Sequence, residues 1–198
     1  MKCIVKKLKE SVNNPSLPVL ERLQILSYVT TTQDGQYVFL GHYDTPENQS
    51  KVDVDFELAS NNSVESTIIS IGANSYISTK SGYIMPFNTS RLDYYSSKVG
   101  TVQNAGLDLS NGFCYVDENS GTCTSINQNT WGCNLYLFAK HNTHNSIAGV
   151  IKIRKAIFTL NDGEHIILPC KKGNIFGFID TKTNEFYTEA NGGALIGE

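Results

Sequence analysis

The sequence places three carboxylates at alternate positions of one short segment, Asp53-Val-Asp55-Phe-Glu57. On a β-strand, residues two apart project from the same face of the sheet. Two carboxylates on one face can act as the acid and the nucleophile of glycoside hydrolysis. The spacing nevertheless differs from the Glu-x-Asp-x-x-Glu run of strand-borne glucanase sites, and Lys51 lies on the same face. We therefore interpret this segment as a solvated strand, and we predict no catalytic residues and no enzyme activity.

Two histidines have the spacing of metal ligands in His141-Asn-Thr-His144. They lie in a polar segment with no cysteine or carboxylate within several positions, so we predict a loop and no metal site. The sequence contains no Gly-x-Ser-x-Gly nucleophile motif and no phosphate-binding glycine loop. These patterns predict that the protein uses no cofactor.

Aromatic and amide side chains in two loop-like segments have the chemistry of a sugar-binding rim. Tyr94 and Tyr95 lie beside Arg91, and His141 and Asn142 begin an Asn-rich segment. Aromatic rings stack on the apolar faces of sugars, and polar side chains bind the hydroxyl groups. These five residues are the predicted glycan-binding residues, and the alternative is that both segments are ordinary loops. For Trp131, burial in the core is the favoured interpretation.

The five cysteines are odd in number and form no Cys-x-x-Cys pair, which argues against zinc. A hairpin turn at Glu118-Asn119 would place Cys114 opposite Cys123, close enough for a cross-strand disulfide. Free thiols are the favoured alternative, because a protein made in the cytosol usually keeps such pairs reduced.

Composition excludes several broad classes of protein. The 198 residues suit one domain, and 16 basic against 19 acidic side chains give a net charge of −3. A basic face for nucleic acid or anionic lipid is not expected. No apolar run approaches the ~18 residues of a membrane span, and lysines interrupt the N-terminus before a signal-peptide core can form.

Short runs of β-branched and aromatic residues alternate with polar ones along most of the chain, and turn residues separate them. Asp34-Gly35 and Asp162-Gly163 each lie between two such runs, so we predict two hairpins there. Further turns are predicted at Lys80-Ser81-Gly82, Asn119-Ser120-Gly121 and Lys182-Thr183-Asn184. About a dozen short strands without a βαβ rhythm predict an all-β antiparallel sandwich or jelly roll.

The first 22 residues differ from the rest. Proline disfavours helix at the preceding residue, so the Asn-Asn-Pro-Ser-Leu-Pro run predicts an extended linker. We expect a turn of helix within Glu21–Leu26, an attachment arm over residues 1–22 and a β domain over 23–198. The candidate assembly residues of the arm are Ile4, Val5, Leu8, Pro15, Leu17 and Pro18.

The C-terminal third carries a resemblance to a known family. Its segments are Leu135-Tyr-Leu-Phe-Ala, Ile151-Lys-Ile-Arg-Lys, Leu168-Pro-Cys, Ile175-Phe-Gly-Phe-Ile-Asp180 and Glu185-Phe-Tyr187 followed by spaced glycines. This pattern resembles the concanavalin A-like (laminin-G/lectin-like) jelly-roll domains of bacteriophages and prophages of gut Bacteroides and Firmicutes. Gly35-Gln-Tyr-Val-Phe-Leu-Gly41 is similar to a strand near the front of those domains, so the resemblance covers roughly residues 28–198. Phe178-Ile179 and Thr188-Glu189-Ala190 depart from the pattern.

The resemblance implies a virion structural protein, made in the host cytoplasm and displayed on the particle surface in multiple copies or as a homo-oligomer. Its expected partners are other virion proteins, bound through the arm. The first expected role for this protein is a capsid decoration or head-fibre protein, and the second is a tail appendage. It also implies weak, multivalent binding of host-surface or mucus glycans. The alternative is a carbohydrate-binding or adhesion module on a phage tail or bacterial surface, and a glycosidase is third. The shared residues are packing and turn residues, so the resemblance transfers a fold and no reactive site.

Overall fold

The computed structural model describes residues 23–88, 91–122, 132–140, 146–191 and 193–198. Two antiparallel sheets pack face to face in this part of the chain, and every described strand pair is antiparallel. The predicted antiparallel β-sandwich of jelly-roll type is confirmed.

The first sheet has eleven described strands and is centred on β4 and β14. Its strands are β1 (Leu23–Ile25), β2 (Val29–Thr30), β4 (Lys51–Leu58), β10 (Val102–Asp108), β11 (Phe113–Val116), β12 (Asn119–Thr122), β14 (Ile151–Leu160), β15 (Gly163–Lys172), β16 (Ile175–Asp180), β17 (Phe186–Tyr187) and β18 (Ile196–Gly197).

The second sheet has seven described strands, and β3, β13, β5, β6, β7 and β8 lie side by side in that order. Its strands are β3 (Val38–Pro46), β5 (Ser66–Ile71), β6 (Ser75–Lys80), β7 (Tyr83–Asn88), β8 (Arg91–Leu92), β9 (Tyr95–Ser96) and β13 (Gly132–Leu137). A short 3-10 helix, Glu47–Gln49, connects β3 to β4.

The core lies between the sheets because alternate residues of each strand face inward. In β4 the buried residues are Val52, Val54, Phe56 and Leu58, as period-2 alternation predicts. Burying a side chain of this size contributes about 1.5–3 kcal/mol. The opposite face of β4 keeps its charged residues at the protein surface, and the first sheet therefore has one apolar and one polar face.

Three local expectations are wrong. Gly35 does turn at φ 77°, but β2 pairs with β14 and β18 of the first sheet whereas β3 belongs to the second, so no hairpin forms at Asp34-Gly35. Residues 23–25 of the expected helical turn form β1, paired with β15.

The third correction concerns the hairpin of β11 and β12. Its turn is Asp117-Glu118, and Asn119-Ser120-Gly121 lies within β12. Asp117 adopts a positive φ of 52°, which aspartate tolerates. The turn therefore lies one residue before the predicted Glu118-Asn119 turn. Cys114 therefore lies opposite Gly121, so the register on which a Cys114–Cys123 disulfide depended is wrong. Cys123 itself lies outside the described residues.

Candidate functional site

The candidate site is a groove on the outer face of the second sheet, beside the β6–β7 hairpin. It has a volume of about 320 Å³. We call it the tyrosine groove; its lining residues are Glu65, Tyr76, Lys80, Ser81, Tyr83, Met85, Leu92 and Tyr94.

Strand alternation explains which side chains reach the groove. Ile77 of β6 and Ile84 of β7 belong to the hydrophobic core, so their neighbours in sequence face outward. Tyr76 and Lys80 therefore lie on the outer face of β6, and Tyr83 lies on that of β7. The turn between them has positive φ at Ser81 (51°) and Gly82 (84°), which closes a two-residue hairpin. The Lys80-Ser81-Gly82 turn is thus confirmed.

The segment after β8 forms the far wall of the groove. Ile84 pairs with Tyr95, so the ring of Tyr95 packs against the core and its hydroxyl lies 3.7 Å from the Cys114 Sγ. Tyr94 points the opposite way and is 61% exposed. Of this tyrosine pair, only Tyr94 lies in a groove that a ligand can enter.

Two exposed tyrosines give the groove its shape. The rings of Tyr83 and Tyr94 meet edge to face, with centroids 5.9 Å apart and an interplanar angle of 87°. Tyr83 is 45% exposed. Two rings at right angles form a corner of apolar surface, which suits a ligand with both an apolar face and an apolar edge.

Charged groups lie next to this corner. Lys140 Nζ lies 4.2 Å from the centroid of the Tyr76 ring and 2.9 Å from the Glu65 carboxylate. Burial alone would lower the pKa of Lys140, but the hydrogen bond to Glu65 and the attraction of Tyr76 and Glu65 raise it above its usual range. Lys140 is therefore charged at neutral pH, and the groove offers both donors and acceptors to hydroxyl groups.

The other predicted glycan-binding residues are placed as follows. The backbone of Arg91 lies in β8, opposite Asn88. His141 and Asn142 lie outside the described residues, as do Trp131, His144 and all six arm residues. The sequence does not predict Tyr76 and Tyr83 as site residues, although both lie in alternating runs. The pairing of β7 with β6 and β9, which places them near Tyr94, cannot be read from the sequence.

The carboxylates of β4 are neutralised by cations on the same face. Glu57 accepts hydrogen bonds from Lys152 at 3.0 Å and from Arg154 at 2.7 Å. Asp55 pairs with Lys155 at 2.7 Å. These cations come from β14, which lies next to β4 in the sheet. The face is thus a ladder of ion pairs.

Protonation of these acids follows their surroundings. Hydrogen bonds from Arg154 and Lys152 lower the pKa of Glu57. Burial raises the pKa of Asp53, against the attraction of Lys51, whose Nζ lies 3.4 Å from its Oδ2. A raised carboxyl pKa is what a general acid needs, but the acids at positions 55 and 57 are both held in ion pairs.

A second polar cluster lies inside the sandwich. His165 is 1% exposed, and its Nδ1 lies 2.6 Å from Oδ2 of the fully buried Asp180. Its Nε2 lies 3.0 Å from the carboxylate of Asp162, which also binds Lys182. The ring edge of Tyr43 packs against the imidazole. Both ring nitrogens are occupied by carboxylates of the chain, so the cluster joins β14–β16 and leaves His165 no free position toward a substrate.

The described residues offer neither a metal-binding cluster nor a membrane-spanning helix. They contain no group of three or more His, Cys, Asp or Glu side chains placed to hold a metal ion. No helix among them is long and apolar enough to cross a membrane.

Comparison with known proteins gives a distant likeness among solved structures. No protein-family model matches the chain, and no curated protein matches it. Among solved structures, the native heptameric SAP-like pentraxin of Limulus polyphemus is similar, with 10% identity and a TM-score of 0.45. The match covers 72% of this chain and 77% of that chain. A likeness at this level carries no argument about what the chain does.

Proposed function

We propose that the protein is a non-enzymatic structural component of a bacteriophage particle and that its lectin-like domain binds saccharides in the tyrosine groove. The observation that carries saccharide binding is the exposed corner of Tyr83 and Tyr94 next to the Lys140–Glu65 pair. Sugars present apolar C–H faces and hydroxyl edges, so a ligand in this groove finds a partner for each.

Such a groove is expected to bind one saccharide weakly. A single open site of this kind has a Kd near 1 mM, or about −4 kcal/mol, which cannot hold a cell or a particle alone. Many copies on one surface raise the overall affinity through effective concentration. Display in multiple copies is therefore part of the proposal.

The proposal that the chain is not an enzyme rests on the carboxylates of β4. Hydrolysis of a glycoside needs one protonated and one ionised carboxyl flanking the bond. Here Asp55 and Glu57 are engaged by Lys155, Lys152 and Arg154. A substrate would have to displace these cations before it reached either acid.

The proposal that the protein belongs to a virion rests on the sequence resemblance over residues 28–198 and on the proline-containing segment before β1. In this proposal the segment 1–22 attaches the domain to the capsid, or to a tail appendage as the second choice. The second candidate function is an adhesion module on a phage tail or bacterial surface. The tyrosine groove supports both candidates equally, because saccharide binding in the groove does not depend on attachment to a capsid.

We predict that Tyr83→Ala/Tyr94→Ala removes glycan retention. Beads coated with full-length wild-type protein should be held on an array of mucin and bacterial capsular glycans, and the double variant should be held about tenfold less or not at all. Loss of both rings removes the apolar corner, and aromatic anchors of this kind commonly contribute more than about 1 kcal/mol each.

The matched control is Phe113→Ala. Phe113 is 39% exposed on β11 of the first sheet, where its ring lies 6.3 Å from that of Tyr115, and it does not line the groove. Its loss should therefore leave retention unchanged. Equal retention of wild type and the double variant, at equal coating density, would remove the groove from the proposal.

A further inference from the structure

The outer face of the second sheet carries a second aromatic cluster at its other edge. Phe39 of β3 lies opposite Tyr136 of β13, with ring centroids 5.0 Å apart, and Tyr37 lies 6.0 Å from Tyr136. Phe39 is 40% exposed. The cluster therefore presents apolar ring surface to solvent, as the tyrosine groove does.

Polar side chains adjoin this cluster on the same face. The exposed His42 lies opposite Asn134, and its Nδ1 is 2.8 Å from the amide Oδ1. Asn134 Nδ2 also donates to the Tyr136 hydroxyl at 3.5 Å. An imidazole and an amide beside aromatic rings are groups that bind sugar hydroxyls, so the cluster repeats the chemistry of the groove with different residues.

The strand register aligns this cluster with Tyr76 and Leu92 of the tyrosine groove in one row. Tyr83 and Tyr94 lie beside the row, since Tyr83 pairs with Lys80 and not with Tyr76. Phe39 pairs with Tyr136, Tyr136 with Ser70, Ser70 with Tyr76, and Tyr76 with Phe87. Leu92 of the groove lies opposite Phe87 and ends the row. Six adjacent strands span about 24 Å at the usual strand spacing. This is a length of several sugar units.

The middle of the row is polar at its surface. The Lys140–Glu65 pair covers the ring of Tyr76, and the two side chains are 19% and 28% exposed. A ligand that spans the row therefore meets the rings of Phe39 and Tyr136 at one end and charged hydrogen-bonding groups in the middle. At the other end it reaches Leu92, which lines the same groove as Tyr83 and Tyr94.

The geometry points to an extended saccharide chain as the ligand, bound across the second sheet with one subsite in the tyrosine groove and another at Phe39, Tyr136, His42 and Asn134. This inference rests on the proposed function and adds to it the class of ligand. A terminal monosaccharide would use one subsite alone. A chain that spans both gains affinity with length because the second contact is intramolecular.

The test is a titration of full-length protein with oligosaccharide ladders of β-1,3-glucan, β-1,4-glucan, chitin and mannan, from disaccharide to octasaccharide. With wild type, affinity for the recognised ladder should rise with length and then level off. Phe39→Ala should lose about tenfold for the longest chains and nothing for the disaccharide. Tyr94→Ala should weaken binding at every length.

The outcomes separate the two proposals. If Tyr94→Ala weakens binding but Phe39→Ala matches wild type at every length, the second subsite is refuted and the proposed function stands. If wild type is retained on the mucin or capsular glycans but binds none of the ladders, the extended-chain ligand is refuted and the proposed function stands; if it binds neither, both are refuted. Phe113→Ala, on the other sheet, serves as the control for folding and should match wild type throughout.

Discussion

Asp180→Ala is expected to lower the free energy of unfolding by about 3–5 kcal/mol, the largest effect we predict for a single substitution. Asp180 is fully buried, and it is the closest partner of the buried His165 ring. Its removal leaves the buried Nδ1 of His165 without its hydrogen-bond partner in a medium of low dielectric, and the exposed Asp162 on the other ring nitrogen cannot replace it. Asp180 also accepts the backbone N–H of Lys182 at 2.8 Å, so the turn after β16 loses an anchor as well.

The matched control is Asp162→Ala, which removes the other carboxylate on the same ring. The side chain of Asp162 is 55% exposed, so its ion pair with Lys182 is screened by water and its loss should cost about 0–1 kcal/mol. Urea denaturation at neutral pH gives both values. A loss for Asp180→Ala no greater than that for Asp162→Ala would contradict a structural role for the buried pair.

Deletion of residues 1–22 is expected to leave a folded domain and to abolish incorporation into phage particles. All described strands begin at or after Leu23, and β1 pairs with β15. Few core contacts should be lost, so circular dichroism should show an unchanged β spectrum and a similar Tm. Mass spectrometry of purified particles should find the full-length protein and not the truncated one.

The groove variant Tyr83→Ala/Tyr94→Ala is the control for this experiment, since it should enter particles normally. Truncated protein present in particles at the full-length level would refute the role of the arm. Absence of both full-length and truncated protein from particles would favour an adhesion module on a bacterial surface over the virion protein.

The sequence predicts those elements whose signals are local. The segment with alternating carboxylates at Asp53, Asp55 and Glu57 is predicted as a strand and lies within β4, because alternation of apolar and polar residues fixes a strand and its buried face. The hairpin at Asp162-Gly163 is also confirmed, since Leu160 pairs with Gly163 across a two-residue turn.

The features that the sequence does not predict depend on partners distant in the chain. The strands β2 and β3 do not pair with each other because β2 pairs with β14 and β3 pairs with β13. Both partners lie about a hundred residues later in the chain. The tyrosine groove likewise needs Glu65 and Lys140, 75 positions apart, to meet above Tyr76. The sequence predicts both Tyr94 and Tyr95 as candidates from their residue type. The register of β9 with β7 shows that Tyr95 faces the core, so only Tyr94 remains.

The most direct test of saccharide binding in the tyrosine groove is to map the contact residue by residue. Isotope-labelled protein is titrated with the glycan that retains the coated beads, and backbone amide chemical shifts are followed. The account predicts that the shifts concentrate on residues 76–85 and 92–94, with Glu65 and Lys140. Shifts confined to the face of β4 around Asp53, Asp55 and Glu57 would contradict it and would restore those carboxylates as the candidate site.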